Sequence, residues 1–257
     1  MDKKPVGISV VVPLYNEESV LPETYKRIKQ VLDSTRETYE IVFVDDGSRD
    51  HTLGLARDLC HADDNVKLLS LSRNFGHQVA ITAGMDHARG SAVIVIDADL
   101  QDPPELTPAM IEKWRQGYDV VYGRRVARKG ETFFKKMTAK LFYKLLHALT
   151  EVDVPMDAGD FRLLDRKACD ALQSLPERNR YVRGLANWIG FEQTGVEFVR
   201  EERFAGETKY PLRKMMKLAA DGITSFSYQP LKVAGYLGVA MVLASAAFLI
   251  YALAWVS

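Results

Sequence analysis

Cysteine is almost missing from this chain: Cys60 and Cys169 are the two present in 257 residues. They lie far apart and form no CxxC, so neither a disulfide framework nor a zinc site is supported, and a reducing compartment is expected. Net charge is missing as well, because 34 Lys and Arg balance 34 Asp and Glu. The apolar run from Val6 to Val12 stops at Pro13, too short for a secretory leader and without a small-residue cleavage site. No GxGxxG or GxxxxGK[ST] occurs, so the glycine-rich backbone cradles that hold phosphate in dinucleotide enzymes and P-loop ATPases are not indicated. Low-complexity segments and internal repeats are absent too.

One long hydrophobic run is present. From Val233 to Val256 no charged side chain occurs, and about 20 such residues in a helix cross the hydrocarbon core of a bilayer. A buried globular helix is the competing explanation, but such helices are rarely apolar on every face for so long. Lys232 and further basic residues precede the run, which predicts that the large N-terminal part stays on the positive, cytoplasmic side.

Residues 7 to 123 alternate β-branched runs with helical patterns. Strands are predicted at 8–12, 40–44, 66–71, 92–96 and 119–122, and helices at about 17–33, 50–62, 77–89 and 105–116. Near-continuous hydrophobicity in the strands fits a parallel sheet covered on both faces. Repeated β-α units imply a doubly wound sheet, which binds ligands at the carboxyl ends of its strands. Four polar clusters fall there: Pro13 to Glu17, Asp45-Asp46-Gly47-Ser48, Ser72 to Gly76, and Asp97-Ala98-Asp99.

Beyond 123 the pattern changes. Residues 131–149 place Phe133, Phe134, Met137, Leu141, Leu145 and Leu149 at helical spacing among Lys135, Lys136, Lys140 and Lys144, as in a helix lying in a membrane interface. Residues 210–223 repeat the theme more weakly. The expected organisation is a core at 1–130, an acceptor-side part with amphipathic interface helices at 131–230, and a transmembrane helix at 231–257.

Asp97 and Asp99 at a strand end can hold a hard divalent cation, leaving open positions for a diphosphate. A bare DxD is more often an exposed turn. Here, however, it ends the apolar strand Val93 to Ile96 and runs into Gln101-Asp102-Pro103-Pro104. Asp45 and Asp46 could accept from a base N–H or ribose hydroxyls, while Ser48 or Asp50 could equally cap the next helix.

Taken in order, Pro13-Leu14-Tyr15-Asn16-Glu17, Asp45-Asp46-Gly47-Ser48, Arg73-Asn74-Phe75-Gly76 and Asp97-Ala98-Asp99-Leu100-Gln101-Asp102-Pro103-Pro104 resemble glycosyltransferase family 2, and within it the polyisoprenyl-phosphate branch. The segments Gly159 to Leu163 and Arg203 to Tyr210 extend the likeness over essentially the whole chain. The resemblance implies a GT-A fold, with a mostly parallel α/β sheet. It implies nucleotide-sugar contacts from Pro13, Tyr15, Glu17, Asp45, Asp46, Asp97 and Arg125, and Mg²⁺ or Mn²⁺ held by Asp97 and Asp99, with Gln101 beside them. Lys135, Arg203 and Lys209 would meet the diphosphate or the acceptor.

The implied reaction is inverting transfer of a hexose onto polyprenyl (undecaprenyl) phosphate, at the inner membrane with the catalytic domain facing the cytoplasm. UDP-glucose is the leading donor, with UDP-GlcNAc and GDP-mannose as alternatives. A processive polysaccharide synthase is a rival, though the QxxRW acceptor motif of those enzymes is absent. No nucleic-acid partner is expected, and related enzymes are often homotetramers. Close relatives usually carry two transmembrane helices, so this span reads as the first of a truncated hairpin or as a single anchor.

Asp160 is the best remaining carboxylate for a base or orienting role, against a structural ion pair with Arg162 or another arginine. His77, His87 and His147 share no ligand spacing and read as ordinary surface or core residues. Trp188 and Tyr181 could face sugar or lipid, with packing the simpler role for Trp188.

Overall fold

A computed structural model of the chain describes residues 6–126, 158–177, 180–199 and 229–256. The predicted amphipathic segments 131–149 and 210–223, and with them Lys135, Arg203 and Lys209, lie outside the described residues. The described residues fall into two compact units, one holding everything up to 199 and the other the C-terminal helix.

The first unit is built on a seven-stranded sheet. Its strands are β1 Ile8–Leu14, β2 Tyr39–Asp45, β3 Val66–Ser70, β4 Ala92–Val95, β5 Val120–Arg125, β6 Ala158–Asp165 and β7 Gln193–Phe198. Their spatial order is β3-β2-β1-β4-β6-β5-β7. All neighbours run parallel except β6, which is antiparallel to both β4 and β5. Every residue of β1 and of β4 is buried, which explains their uninterrupted Val and Ile: neither face meets water.

Helices α1 Leu21–Ser34, α2 Thr52–Ala62, α3 His77–His87 and α4 Thr107–Arg115 connect the early strands, with a short 3₁₀ turn at Pro104–Leu106 before α4. Their positions match the predicted ones to within a few residues. α1 packs through Leu21, Thr24, Ile28, Val31 and Leu32, the stripe that a 3.6-residue period requires. α3 comes close to the sheet because Gly84 lies directly over Val11 and Val44, where a Cβ would collide with both. Each large apolar side chain taken fully from water contributes about 1.5–3 kcal/mol. Phe43, Phe161, Ile94 and Ile96 are among those fully buried.

Two helices follow β6: α5 Arg166–Ser174 and α6 Val182–Trp188. Asp165 starts α5 by accepting from the Lys167 N–H at 3.0 Å, and it also receives the Trp114 indole N–H at 2.7 Å. α6 buries Val182, Gly184, Leu185 and Ala186. Trp188 is 59 % exposed, which corrects the packing role expected for it: the helical period puts it off the stripe through which Val182, Leu185 and Ala186 pack.

At the amino ends of the strands the sheet is tied by a buried polar knot. Ser9 Oγ donates to Glu40 at 2.6 Å, the amides of Arg89 and Gly90 donate to Glu40 and Ser9 at 2.7 Å, and Lys67 pairs with Glu40. This end of the sheet holds structure together, and the opposite end carries chemistry.

The second unit is described by α7, Gln229–Val256. It contains a 22-residue apolar stretch, Ala234–Trp255, long and apolar enough to cross a membrane and with no part of its most apolar window buried.

Candidate active site

β1, β2 and β4 all end at one edge, so the polar clusters that follow them converge there. The loop after β1 locks to the loop after β2. The Asn16 N–H donates to Ser48 Oγ at 3.0 Å, Asn16 Oδ1 accepts from the Arg49 N–H at 2.8 Å, and the Glu17 N–H donates to Thr52 Oγ1 at 2.8 Å. Asn16 adopts φ 54°, a left-handed conformation that Asn tolerates better than most residues. Tyr15 and Glu17 flank it, so their backbone is set by two loops at once.

Asp45 and Asp46 are both almost fully buried. Asp46 accepts from the Phe75 N–H at 2.7 Å and the Gly76 N–H at 2.9 Å, one with each oxygen. Asp45 Oδ2 accepts from the Ser48 N–H at 3.3 Å, while its Oδ1 is buried with no hydrogen-bond partner. Gly47 between this pair and Ser48 has φ 69°, and a Cβ there would stand 2.5 Å from the Arg73 carbonyl carbon. Only glycine serves such a left-handed close approach without strain. The acidic pair thus pins the loop that precedes α3.

The third group is assembled by the antiparallel strand. In the β4–β6 ladder Val95 faces Arg162, and continuing that register two residues sets Asp97 opposite Asp160. Because β6 runs against its neighbours, its first residues arrive where β4 and β5 end. Directly opposed carboxylates repel, and two cationic side chains answer this pair. His77, first residue of α3, places Nε2 3.3 Å from Asp160 Oδ2 and 3.4 Å from Asp97 Oδ1. Arg183 of α6 places Nη2 3.2 Å from Asp160 Oδ2. Buried Arg162 donates to the Gly159 carbonyl at 2.9 Å.

Electrostatics divides the two carboxylates. Burial works against ionised Asp160, yet Arg183, the His77 hydrogen bond and Arg162 hold it well below the usual carboxylate range. Asp97 goes the other way: burial, reinforced by Asp160, Asp99 and Asp102, lifts it above its ordinary value despite the pull of His77. Burial disfavours charged His77, but Asp97 and Asp160 outweigh it and push its pKa up to about 9. Burial brings Arg162 down to about 10, so it stays charged at neutral pH.

Asp99 and Gln101 lie in the loop after β4, where Asp99 Oδ1 accepts from the Gln101 N–H at 3.1 Å and Leu100 has φ 57°. Thr24 Oγ1 of α1 donates to the Ala98 carbonyl at 2.6 Å, tying this loop to the fold. Asp102, farther along, is 2 % exposed at its side chain and accepts from Arg125 at the end of β5. The β5–β6 ladder slips between Tyr122 and Arg124, and such irregularities turn a strand end and re-aim its side chains.

Among the described residues no three His, Cys, Asp or Glu side chains form a ready metal cage. Two carboxylates suffice for a hard cation that keeps its other positions for substrate oxygens and water. The donor set fits such an ion. Asp97 and Asp99 offer hard oxygen ligands two residues apart, and Asp97 carries a buried oxygen with no hydrogen-bond partner among the described residues.

Of the residues singled out from the sequence, Pro13, Tyr15, Glu17, Asp45, Asp46, Asp97, Asp99, Gln101, Arg125 and Asp160 all lie at or beside this edge. His77, read as an ordinary residue, and Arg183, not singled out, join them. The available signal for His77 was its place as first residue of a helix following a strand end.

The sequence profile of glycosyl transferase family 2 matches residues 9–173. The chain is 61 % identical over 236 residues to the uncharacterized glycosyltransferase YkcC of Bacillus subtilis, covering 92 % of this chain and 73 % of that one. It is 43 % identical to the prophage bactoprenol glucosyl transferase homolog of Escherichia coli, covering 94 % and 78 %. Among solved structures it is similar to mannosyltransferase PcManGT from Pyrobaculum calidifontis in complex with GDP-Man and Mn²⁺, with TM-score 0.55, 19 % identity and coverage of 96 % and 81 %. It is also similar to glucosyl-3-phosphoglycerate synthase from Mycobacterium tuberculosis, with TM-score 0.58, 22 % identity and coverage of 84 % and 75 %.

Proposed function

The chain belongs to glycosyl transferase family 2 and is a glycosyltransferase of GT-A fold, and from that premise we propose that it transfers a hexose, with inversion, from a nucleotide sugar to polyprenyl phosphate. The observation that carries this reading is the presence in one chain of a carboxylate edge around Asp97, Asp99 and Asp160 and of the apolar helix Ala234–Trp255, with no part of its most apolar window buried. Relatives named bactoprenol glucosyl transferase, 43–44 % identical over at least 90 % of this chain, support the acceptor and make UDP-glucose the leading donor.

The chemistry asks little of a base. A phosphate monoester carries about −1.5 to −2 charge at neutral pH, so the lipid phosphate is already a nucleophile. The protein must align it against the anomeric carbon and offset repulsion between two anionic reactants. Asp97 and Asp99 would hold Mg²⁺ or Mn²⁺, which supplies charge neutralisation for the departing nucleotide diphosphate. Asp160, kept ionised by Arg183 and His77, orients the reacting groups rather than taking a proton, since a carboxylate held so far below its usual range is a poor base. Tyr15, Glu17 and Asp45 line the end of the edge where base and ribose would lie. Direct displacement inverts the anomeric centre.

In this reading 1–130 is the donor-binding core, 131–230 the acceptor side with Lys135, Arg203 and Lys209 on phosphates, and 231–257 the membrane anchor, with the catalytic part on the cytoplasmic face. The test is transfer from UDP-glucose, UDP-GlcNAc and GDP-mannose to undecaprenyl phosphate with Mg²⁺ or Mn²⁺. A glucosyl lipid formed from UDP-glucose alone is the expected result. Donor turnover without a lipid product removes the acceptor assignment.

A further inference from the structure

Building on the transferase reading above, we infer that His77 is a positioning residue that holds Asp97 and Asp160 at one spacing, and that turnover depends on it. Asp160 sits on β6, which runs antiparallel to β4, and Asp97 lies two residues past the end of β4, so the pairing brings both carboxylates to one edge. Left alone they would move apart. Arg183 meets Asp160 at 3.2 Å, and the His77 ring reaches both carboxylates, at 3.3 Å for Asp160 and 3.4 Å for Asp97.

The ring is itself held from both sides. Just before it, the amides of Phe75 and Gly76 are fastened to Asp46. Just after it, Gln78 Oε1 accepts from the Val182 N–H at 2.9 Å, joining the start of α3 to the helix that carries Arg183. Position 77 is therefore fixed relative to the donor-side loops and to α6 together. A packing histidine would be enclosed by apolar neighbours; this one is 34 % exposed at the side chain and its ring nitrogen meets carboxylate oxygens. Asp97 keeps 31 % of its side chain exposed although Oδ1 is buried toward His77, so its outer oxygen stays available to the cation.

The full chain in detergent or nanodiscs supplies the test, using H77A, H77Q, D160N and the H77A/D160N double variant. H77A is expected to lower kcat about 30-fold or more while donor KM changes less than about threefold, and H77Q, which retains an N–H near Nε2, to recover most of it. The double variant should be no more than about threefold worse than D160N, because His77 acts through a group already disabled. Independently of any acceptor, Mn²⁺ affinity in the presence of UDP should weaken about tenfold in H77A, with metal-free UDP binding unchanged within about twofold. Wild-type kcat and wild-type Mn²⁺ affinity in H77A would overturn the assignment. So would equal losses in H77A and H77Q accompanied by a lowered Tm, which mark a packing role. If the unaltered chain moves no sugar to undecaprenyl phosphate, the acceptor reading fails and the Mn²⁺ measurement alone decides His77.

Discussion

Arg125 and Asp102 meet in a two-pronged ion pair, with Nη2 3.1 Å from each carboxylate oxygen. Gly159 leaves the room for it, since a Cβ there would stand 2.7 Å from that nitrogen and 3.4 Å from Asp102 Oδ2. The pair braces the loop carrying Asp99 and Gln101 against the end of β5. Gly159→Ala displaces the far end of the Arg125 side chain and no backbone, so it should cost the fold about 1 kcal/mol or less, the low end of overpacking, and slow transfer more than it weakens nucleotide binding. Urea unfolding and steady-state rates on the same preparation check both parts.

Asp160→Asn keeps the shape of the side chain and removes its charge. Donor binding, measured by calorimetry with UDP and Mn²⁺, should stay within about threefold, while kcat falls about 100-fold, the scale on which lost alignment at the reacting centre acts. Full activity would leave Asp160 as no more than the ion-pair partner of Arg183.

Chelation of divalent cations should abolish transfer, and Mn²⁺ or Mg²⁺ should restore it. Asp99→Asn should raise the cation concentration needed for half-maximal rate and lower the saturated rate by about 100-fold, because charge on the leaving diphosphate is then offset less well. A titration of metal against rate for both proteins separates the two effects.

At the other end of the sheet, Glu40 links stability to pH. Its burial opposes ionisation, but Lys67, Ser9 and the Arg89 N–H overcome that and hold its pKa below the ordinary carboxylate value. A lowered folded-state pKa means that the stabilisation is complete above the unfolded value, about 4.3, and is lost as pH falls through the folded value. Glu40→Gln should be less stable than the unaltered chain at pH 7, and the two curves should converge as the pH drops below about 4. Thermal unfolding from pH 3 to 8 would reveal an unchanging gap if Glu40 stabilises only by packing.

The proposed membrane anchor has a direct assay. The intact chain should sediment with liposomes, and a chain ending at residue 228 should remain in the supernatant at physiological salt. Retention of the shortened chain on anionic vesicles alone, lost on raising salt, would assign the binding to the basic stretches instead.

The first half of the sheet was legible because its cause is local. Runs such as Val93 to Ile96 and Ile41 to Val44 are apolar on both faces, and the polar residues following each strand mark its carboxyl end. β6 was not read as a strand, since Asp160, Arg162 and Asp165 interrupt its apolar run. Its insertion depends on pairing with β4 across more than 60 residues and with β5 across more than 30. The same distance hid His77, whose partners lie 20 and 83 positions away. Asp46 stood out in the sequence as a candidate, but its partners, the amides of Phe75 and Gly76, carry no side-chain signature. Composition locates the edge, and tertiary pairing decides which groups at it meet.

The antiparallel insertion of β6 also sets an order of events during synthesis. Until residues 158–165 leave the ribosome, β4 has β1 on one side and a bare row of backbone donors and acceptors on the other. Exposed apolar edges of this kind recruit other chains. The strand that delivers Asp160 is also the one that closes this edge, so a nascent chain stalled or cleaved before residue 158 should aggregate rather than persist as an inactive donor-binding fragment.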